Sequence, residues 1–335
     1  MKPIRLLVAV LVVALAWSGW WGWSAWKAKA DLRGWLEARR ADGWQAEWSA
    51  IRVTGFPNRV DITVEEPALA DPAGGWAWNA PFVQILRLSY DKDRAIFVWP
   101  DRMSLQTPYE RITIAGEEMR ASVSFLPGRA REVLDSALVF RGMEISSDAG
   151  WTTSVREARL AVRPNAQNAA LRDIGLEVTG LKPRSDVIAT LADAGVVPAT
   201  VERLRADLTV EFDTPWDRQA LEERRPQPTS MDIHEIAASW GQLDLRIAGK
   251  LAADDAGRAD GEVLVKATNW EEILDVARQS GAVPAGIADT VESALRLLSR
   301  VAGSPKTLDI PLSFEDGRMR AGPVPLGSAP ELRLP

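Results

Sequence analysis

Twenty-one consecutive positions, Leu6 to Trp26, carry no charged side chain, and this run constrains the chain more than any other feature. At about 1.5 Å per residue, a helix of that length spans ~30 Å, the thickness of a bilayer's hydrocarbon core. Lys2 and Arg5 precede it, the layout of a signal or a signal anchor. The first half is aliphatic, Leu6 and Leu11 being typical, and the second half holds Trp17, Trp20, Trp21, Trp23 and Trp26. Indoles favour the membrane–water interface, so these five read as an aromatic belt at the far leaflet. A cleaved signal peptide is the rival reading, because Ala28-Lys29-Ala30 has the A-x-A form, although it lies well past the aliphatic stretch. We read 6–26 as an uncleaved transmembrane signal anchor and 1–5 as a cytoplasmic tip.

Two signals for orientation oppose each other. Lys27, Lys29, Arg33, Arg39 and Arg40 follow the helix, and a local Lys/Arg excess marks the cytoplasmic side. A very short N-terminus ahead of an apolar run is the usual signal-anchor arrangement, and long domains translocate despite their charge. The expectation is a single pass through the inner (cytoplasmic) membrane, with the bulk of the chain in the periplasm. That membrane is the first expected partner.

Composition removes most chemistries. The chain has no cysteine, hence no disulfide, thiolate nucleophile, zinc finger or iron–sulfur cluster. A single histidine, His234, leaves no two-histidine metal site, and no cofactor or metal is expected. The net charge of −6 argues against nucleic acid. Because the first acid is Asp31, residues 31–335 hold 46 acids and 36 bases, a net of −10. Such a body does not bind anionic headgroups by charge, so any lipid it holds is held by its tail.

Beyond the anchor, residues 27–43 read as a helical stem, with Leu32, Trp35, Leu36 and Arg39 at helical spacing and Gly43 as the stop. The period then changes to two. Trp44, Ala46, Trp48 and Ala50 alternate with polar partners; Gly55-Phe56-Pro57-Asn58 makes a turn; Val60, Ile62 and Val64 resume the alternation. Short alternating strands recur at Leu86-Leu88-Tyr90, Ile112-Ile114, Leu160-Val162, Leu176-Val178, Leu208-Val210-Phe212 and Leu243-Leu245-Ile247. A last hairpin joins Leu308-Ile310-Leu312-Phe314 to Met319-Ala321 through Asp316-Gly317, and Pro311 suggests an edge strand. One-sided alternation means antiparallel sheet with one dry face. The fold class expected is α+β, predominantly antiparallel and with one-sided curved sheets, an N-terminal transmembrane helix and two helical hairpin insertions. The β-rich part divides at 44–184 and 185–335.

The insertions echo each other. One runs from Ser185 to Ala194 and restarts near Pro198; the other starts at Asn269 with a capping-box-like Glu272, stops at Gly281 and restarts near Pro284. Their junctions, Gly195-Val196-Val197-Pro198-Ala199 and Gly281-Ala282-Val283-Pro284-Ala285, suggest a duplicated helix–helix–strand unit. Glu222 to Pro228 reads as an exposed loop.

Gly43-Trp44, Gly55-Phe56-Pro57 with Arg59 and Asp61, and Trp78-Asn79-Ala80-Pro81 follow a tryptophan-rich anchor. In this combination the chain resembles the alphaproteobacterial envelope family called domain of unknown function 2125. Asp254-Asp255-Ala256-Gly257, Gly261-Glu262 and the ending Ala321-Gly322-Pro323-Val324-Pro325-Leu326-Gly327 are similar in style to the AsmA-like superfamily. That resemblance implies a single-pass, β-rich envelope protein and, for the larger members, phospholipid movement between membranes. Neither resemblance carries over a catalytic residue.

The candidate sites each have a structural reading. In the signature turn, Gly55 permits the reversal, Phe56 plugs the end of the core, Pro57 shapes the turn, and Arg59 and Asp61 pair on one strand face; an exposed Phe-Pro tip touching a membrane or partner is the alternative. Trp76 and Trp78 lie on one face if extended and read as core, a ligand platform being the alternative; with Leu308, Ile310, Leu312 and Phe314 they make up the candidate apolar surface. His234 reads as a surface helix residue, and the acid pairs Glu65-Glu66, Glu117-Glu118, Asp254-Asp255 and Glu271-Glu272 as solvated turns and helix starts. Three functions follow. The first is a non-catalytic module binding an apolar ligand such as a phospholipid along the dry sheet face. The second is an envelope scaffold or assembly factor that contacts other envelope proteins. The third, ranked last, is a periplasmic hydrolase.

Overall fold

The computed structural model describes residues 3–128, 130–185, 198–217, 220, 224–279, 289, 291–293, 295–296, 299 and 306–334. Apolar run and stem form one uninterrupted helix, α1 (Pro3–Ala41). The chain then divides into two compact units, the first comprising Met1–Phe125 with Ile145–Gly150, the second Leu126–Glu144 with Trp151–Pro335.

In the first unit ten short strands follow: β1 (Gln45–Glu47), β2 (Ala50–Thr54), β3 (Asp61–Glu65), β4 (Ala68–Asp71), β5 (Trp76–Asn79), β6 (Phe82–Leu86), β7 (Arg94–Val98), β8 (Arg102–Gln106), β9 (Arg111–Ala115) and β10 (Glu118–Phe125). Their antiparallel pairings run β2-β3-β6-β7-β10 on one side and β1-β4-β5-β8-β9 on the other. They are therefore halves of five longer strands in a meander, each broken at the same level. The break line carries Pro67, Pro81 and Pro100, which cannot donate to a ladder. Backbone bonds still cross it, Glu66 N–H to the Pro81 carbonyl at 2.8 Å and Ala80 N–H to the Pro67 carbonyl at 3.1 Å. Proline thus bends the sheet without unzipping it.

One face of α1 closes this sheet. Ala28 and Leu36 are buried with Ala46, Ile51, Val60 and Ile62, and Trp21, Leu32 and Trp48 pack around them. Trp21, Ala28, Leu32 and Leu36 recur at helical spacing, so a single stripe makes the contact. Arg40 ends the helix by donating to the Ala46 carbonyl (2.6 Å) and lying over the Trp48 ring at 4.6 Å.

In the second unit, β12 (Thr152–Pro164), β13 (Leu171–Leu181), β14 (Val201–Phe212), β15 (Pro228–Trp240), β16 (Leu243–Ala253), β17 (Ala259–Thr268), β18 (Thr307–Glu315), β19 (Arg318–Ala321) and β20 (Val324–Ser328) pair consecutively as an antiparallel meander. The strand before them, β11 (Val133–Ser147), is shared between the units by residue. Helix α2 (Trp270–Gln279) follows β17. Most junctions of the two proposed helical insertions, including 186–197 and 280–288, lie outside the described residues.

Four local expectations are corrected here. His234 sits on β15, not on a helix: Asp207 pairs with Glu235 and Leu208 with Ile233, so His234 is the extra residue of a bulge. Strand β18 is internal, paired with β17 and β19, yet tolerates Pro311 because its β19 ladder ends at Leu312. The Pro311 carbonyl accepts from Gly322 N–H at 3.2 Å, so the missing donor faces the end of β19, where no ladder bond is lost. Asn269 does not cap α2 with its side chain: it adopts φ 55° and donates its amide to the Gln242 carbonyl at 2.7 Å. Pro226, in the expected exposed loop, is fully buried.

The turn between β16 and β17 shows how such reversals are held. Asp254 accepts from the backbone N–H of Arg258 (2.8 Å) and Ala256 (2.9 Å) and from the Arg258 guanidinium (2.9 Å). These bonds, the Arg258 backbone N–H first, hold its carboxyl below the ordinary carboxylate range. A lowered folded-state value means a contribution present above the unfolded value of about 4 and lost as pH falls through the folded one. Asp254→Asn should therefore lower thermal stability more at pH 7 than at pH 2, as read by circular dichroism melts. An equal loss at both pH values would contradict this linkage.

Candidate functional site

Register carries the apolar pattern of the second unit from strand to strand. Leu160 pairs with Leu176, Leu176 with Ala206, Ala206 with Ile236, Ile236 with Ile247, Ile247 with Val265, and Val265 with Ile310. The row beside it runs Ala158, Val178, Leu204, Ala238, Leu245, Ala267 and Leu308. The opposite neighbour runs Val162, Ile174, Leu208, Ile233, Gly249, Val263 and Leu312, and the bulge at His234 is what keeps both Ile233 and Ile236 inward. Seven strands thus present one unbroken apolar face.

The reverse face is charged and internally paired. Arg159 meets Glu157 at 2.7 Å, Lys250 meets Asp232 at 2.8 Å and Arg246 meets Asp244 at 3.1 Å. His234, half-exposed, has Nε2 2.9 Å from the Thr209 hydroxyl on this side. Asn165, first, and then Thr209 hydrogen-bond the Asp173 carboxylate and hold it below its ordinary range. These groups are engaged in the ladder's own contacts. Among the described residues no cluster of three metal-ligating side chains occurs.

The apolar face is covered unevenly. At one end the C-terminal segment lies over it, with Ala329 and Leu332 packed on Ile233, Val263 and Phe314. At the other end α2 brings Trp270 (2% exposed) and Leu274 (6%) onto Ala267 and Leu308, joined by Val291 and Leu295. Between roof and floor lies a cavity of about 190 Å³. Leu245, Val265, Ala267, Ile310 and Leu312 form its floor, Trp270, Ile273, Leu274, Val291 and Leu295 its roof, and Ala321 and Leu326 one wall. On β12 to β14, Leu160, Leu176, Val178 and Leu204 remain half-buried. A second depression, about 450 Å³ and lined by Asp213, Arg224, Asp254 and Arg333 among others, is polar. Asp213 and Asp254 there are engaged by Arg224 and Arg258.

The residues singled out from the sequence fall in three places. Leu308 (1% exposed) and Phe314 (4%) are packed shut, so they are core and not open surface, whereas Ile310 and Leu312 line the cavity. Trp76 and Trp78 belong to the first unit: Trp76 packs edge-on against Trp44 at 5.2 Å, and Trp78 donates to the Met103 sulfur at 3.4 Å. Sequence reasoning missed Ala321 and Leu326, whose wall position follows from the fold-back of β19 and β20 and not from any local pattern.

The third place is the signature turn, which meets the anchor. Trp17 donates to the Pro57 carbonyl (3.0 Å) and Trp21 to the Arg59 carbonyl (2.6 Å). Trp21 also meets Phe56 edge-on at 5.4 Å. Phe56 does not plug the core; it is 55% exposed, because the core behind it is already closed by Val60 and Trp21. Arg59 and Asp61 pair at 3.0 Å, as their shared strand face requires. Gly55 has φ 101°, and a Cβ there would stand 2.7 Å from the Arg59 Cβ. On the exposed side of α1 lie Leu6, Leu11, Trp20, Trp23 and Trp26.

Together these features define a β-rich protein with an N-terminal helix long and apolar enough to cross a membrane, supporting a single-pass anchor. The chain belongs to the family described as "Uncharacterized protein conserved in bacteria (DUF2125)", whose model matches residues 21–330. No curated protein and no solved structure matches the chain.

Gly55→Ala should destabilise the protein by more than about 1 kcal/mol in denaturant unfolding, since alanine meets both an unfavourable φ and the Arg59 backbone. A neutral result would show that the turn relaxes away from α1.

Proposed function

We propose that the protein is a single-pass, non-catalytic component of the cell envelope that holds the acyl chain of a lipid against the apolar face of its second sheet. In this reading α1 lies in the inner membrane and the body lies in the periplasm. The observation that carries it is the cavity of about 190 Å³, lined throughout by apolar side chains, at one end of a seven-strand apolar face. Engineered apolar cavities of ~150 Å³ stay dry and take up benzene, so a space of this size and lining suits the end of a hydrocarbon chain. Each methylene buried there contributes about 0.8 kcal/mol. The half-buried rows on β12 to β14 extend the same surface along the chain's length. Charge agrees, since the acidic body favours recognition by the tail over attraction of an anionic headgroup.

Uptake of a fluorescent fatty acid by the purified full-length protein tests this. Leu326→Trp, which fills the cavity wall, should lower uptake severalfold, while Leu264→Ser, on the outward face of β17, should leave it unchanged. Equal uptake by wild type and Leu326→Trp would assign the probe to the anchor helix and contradict the proposal.

A further inference from the structure

The contact between α1 and the signature turn places part of the first unit within the depth of the uncharged segment. Trp17 and Trp21 stand one helical turn apart and both donate to the turn, at Pro57 and Arg59. Trp17 lies nine residues, or ~13 Å, before the end of the uncharged run at Trp26. The 55–59 turn therefore lies beside the interfacial tryptophans and not beyond Lys27, where the charged stem begins. A second loop shares that height. Ser89 N–H donates to the Asn58 carbonyl (2.8 Å), Val60 N–H donates to the Arg87 carbonyl (2.9 Å), and Leu88 bridges to Arg59. These two loops expose large apolar groups: Phe56 is 55% exposed, Leu88 39% and Tyr90 67%.

We propose that the 55–59 turn and the 88–90 loop form an apolar collar that enters the outer half of the bilayer next to α1. The first unit is then seated on the membrane surface and not carried above it on the stem. The proposal rests on α1 crossing the bilayer. Three observations select lipid as the occupant. The collar is hydrogen-bonded to the membrane helix itself. Aromatic side chains of this kind concentrate at the membrane–water interface. The acidic body offers little electrostatic attraction to anionic headgroups, so apolar insertion supplies the contact.

The rest of α1 fits this placement. Residues 27–41 leave the interface as the stem and carry the stripe Ala28, Leu32 and Leu36 that packs on β1 and β2. The far end of the unit is marked by Trp44, which packs on Trp76, and by Pro108 in the same depression. Tyr109, 94% exposed, lies there, about 30 Å along α1 from Trp21.

The chain lacks cysteine, so single-cysteine variants report cleanly. Phe56→Cys, Tyr90→Cys, Tyr109→Cys and Leu11→Cys, each carrying an environment-sensitive fluorophore, would be reconstituted full-length in phosphatidylcholine–phosphatidylglycerol vesicles. Nitroxides on shallow and deep lipid positions and aqueous iodide serve as quenchers. Labels at 56 and 90 should be quenched by the shallow nitroxide severalfold more than the label at 109, which iodide should quench most. Labels at 56 and 90 that follow the label at 109 would overturn the collar. The Leu11 label separates the two layers of the argument. If the deep nitroxide quenches it while 56 and 90 remain aqueous, only the collar fails; if it too stays aqueous, the anchor fails and the collar with it.

Discussion

A seven-strand antiparallel ladder that turns apolar side chains inward at row after row creates a face whose contact with water costs about 25 cal/mol per Å². The rest of the second unit answers that cost. Strand pairing satisfies the backbone, the reverse face spends its charges on one another, and α2 and the C-terminal segment are folded over the two ends of the apolar surface. Cover is complete where Leu308 and Phe314 are packed shut. Among the described residues it is incomplete at the cavity under α2 and along the half-buried rows of β12 to β14. An amphipathic helix laid on a sheet leaves such a gap when small residues face it, and here Ala267 and Ala321 do so.

The first unit solves a related problem with a different partner. Its bent meander is closed by the stripe of α1 that also continues into the apolar segment, so fold and anchor share one helix. An indole N–H inside or near a bilayer needs an acceptor, and an unpaired one is costly. The signature turn supplies two carbonyls at that height. The Gly55-Phe56-Pro57 turn is thereby explained by its contact with the anchor: Gly55 allows the close approach to Arg59, and the turn's carbonyls receive Trp17 and Trp21.

Much of this was legible in the chain because its signals are local. The uncharged run gives α1, the period of two in Leu243-Leu245-Ile247 gives β16, and Asp316-Gly317 gives the β18–β19 reversal, where both residues take positive φ. What was not legible depends on partners far away in sequence. Phe56 looks like a core plug until Trp21 and Val60 are seen to close the space behind it. His234 looks helical among its neighbours, and only its register against Asp207 and Leu208 shows a bulge. Pro311 suggests an edge, and only the length of β19 shows why an internal strand accepts it. The candidate site was half legible: Ile310 and Leu312 carry the alternation, whereas Ala321 and Leu326 enter the cavity through the fold-back of β19 and β20.

The central claim is that the apolar face under α2 holds a hydrocarbon chain in the cell. Site-specific photo-crosslinking tests it most directly, with a photoactivatable residue at Ile310 in the full-length protein expressed in its membrane. The account predicts an adduct whose added mass is that of a lipid and which is lost when the residue is moved to Leu264 on the outward face. Crosslinking from position 310 to a defined protein partner, or only to the protein's own helix, would contradict it.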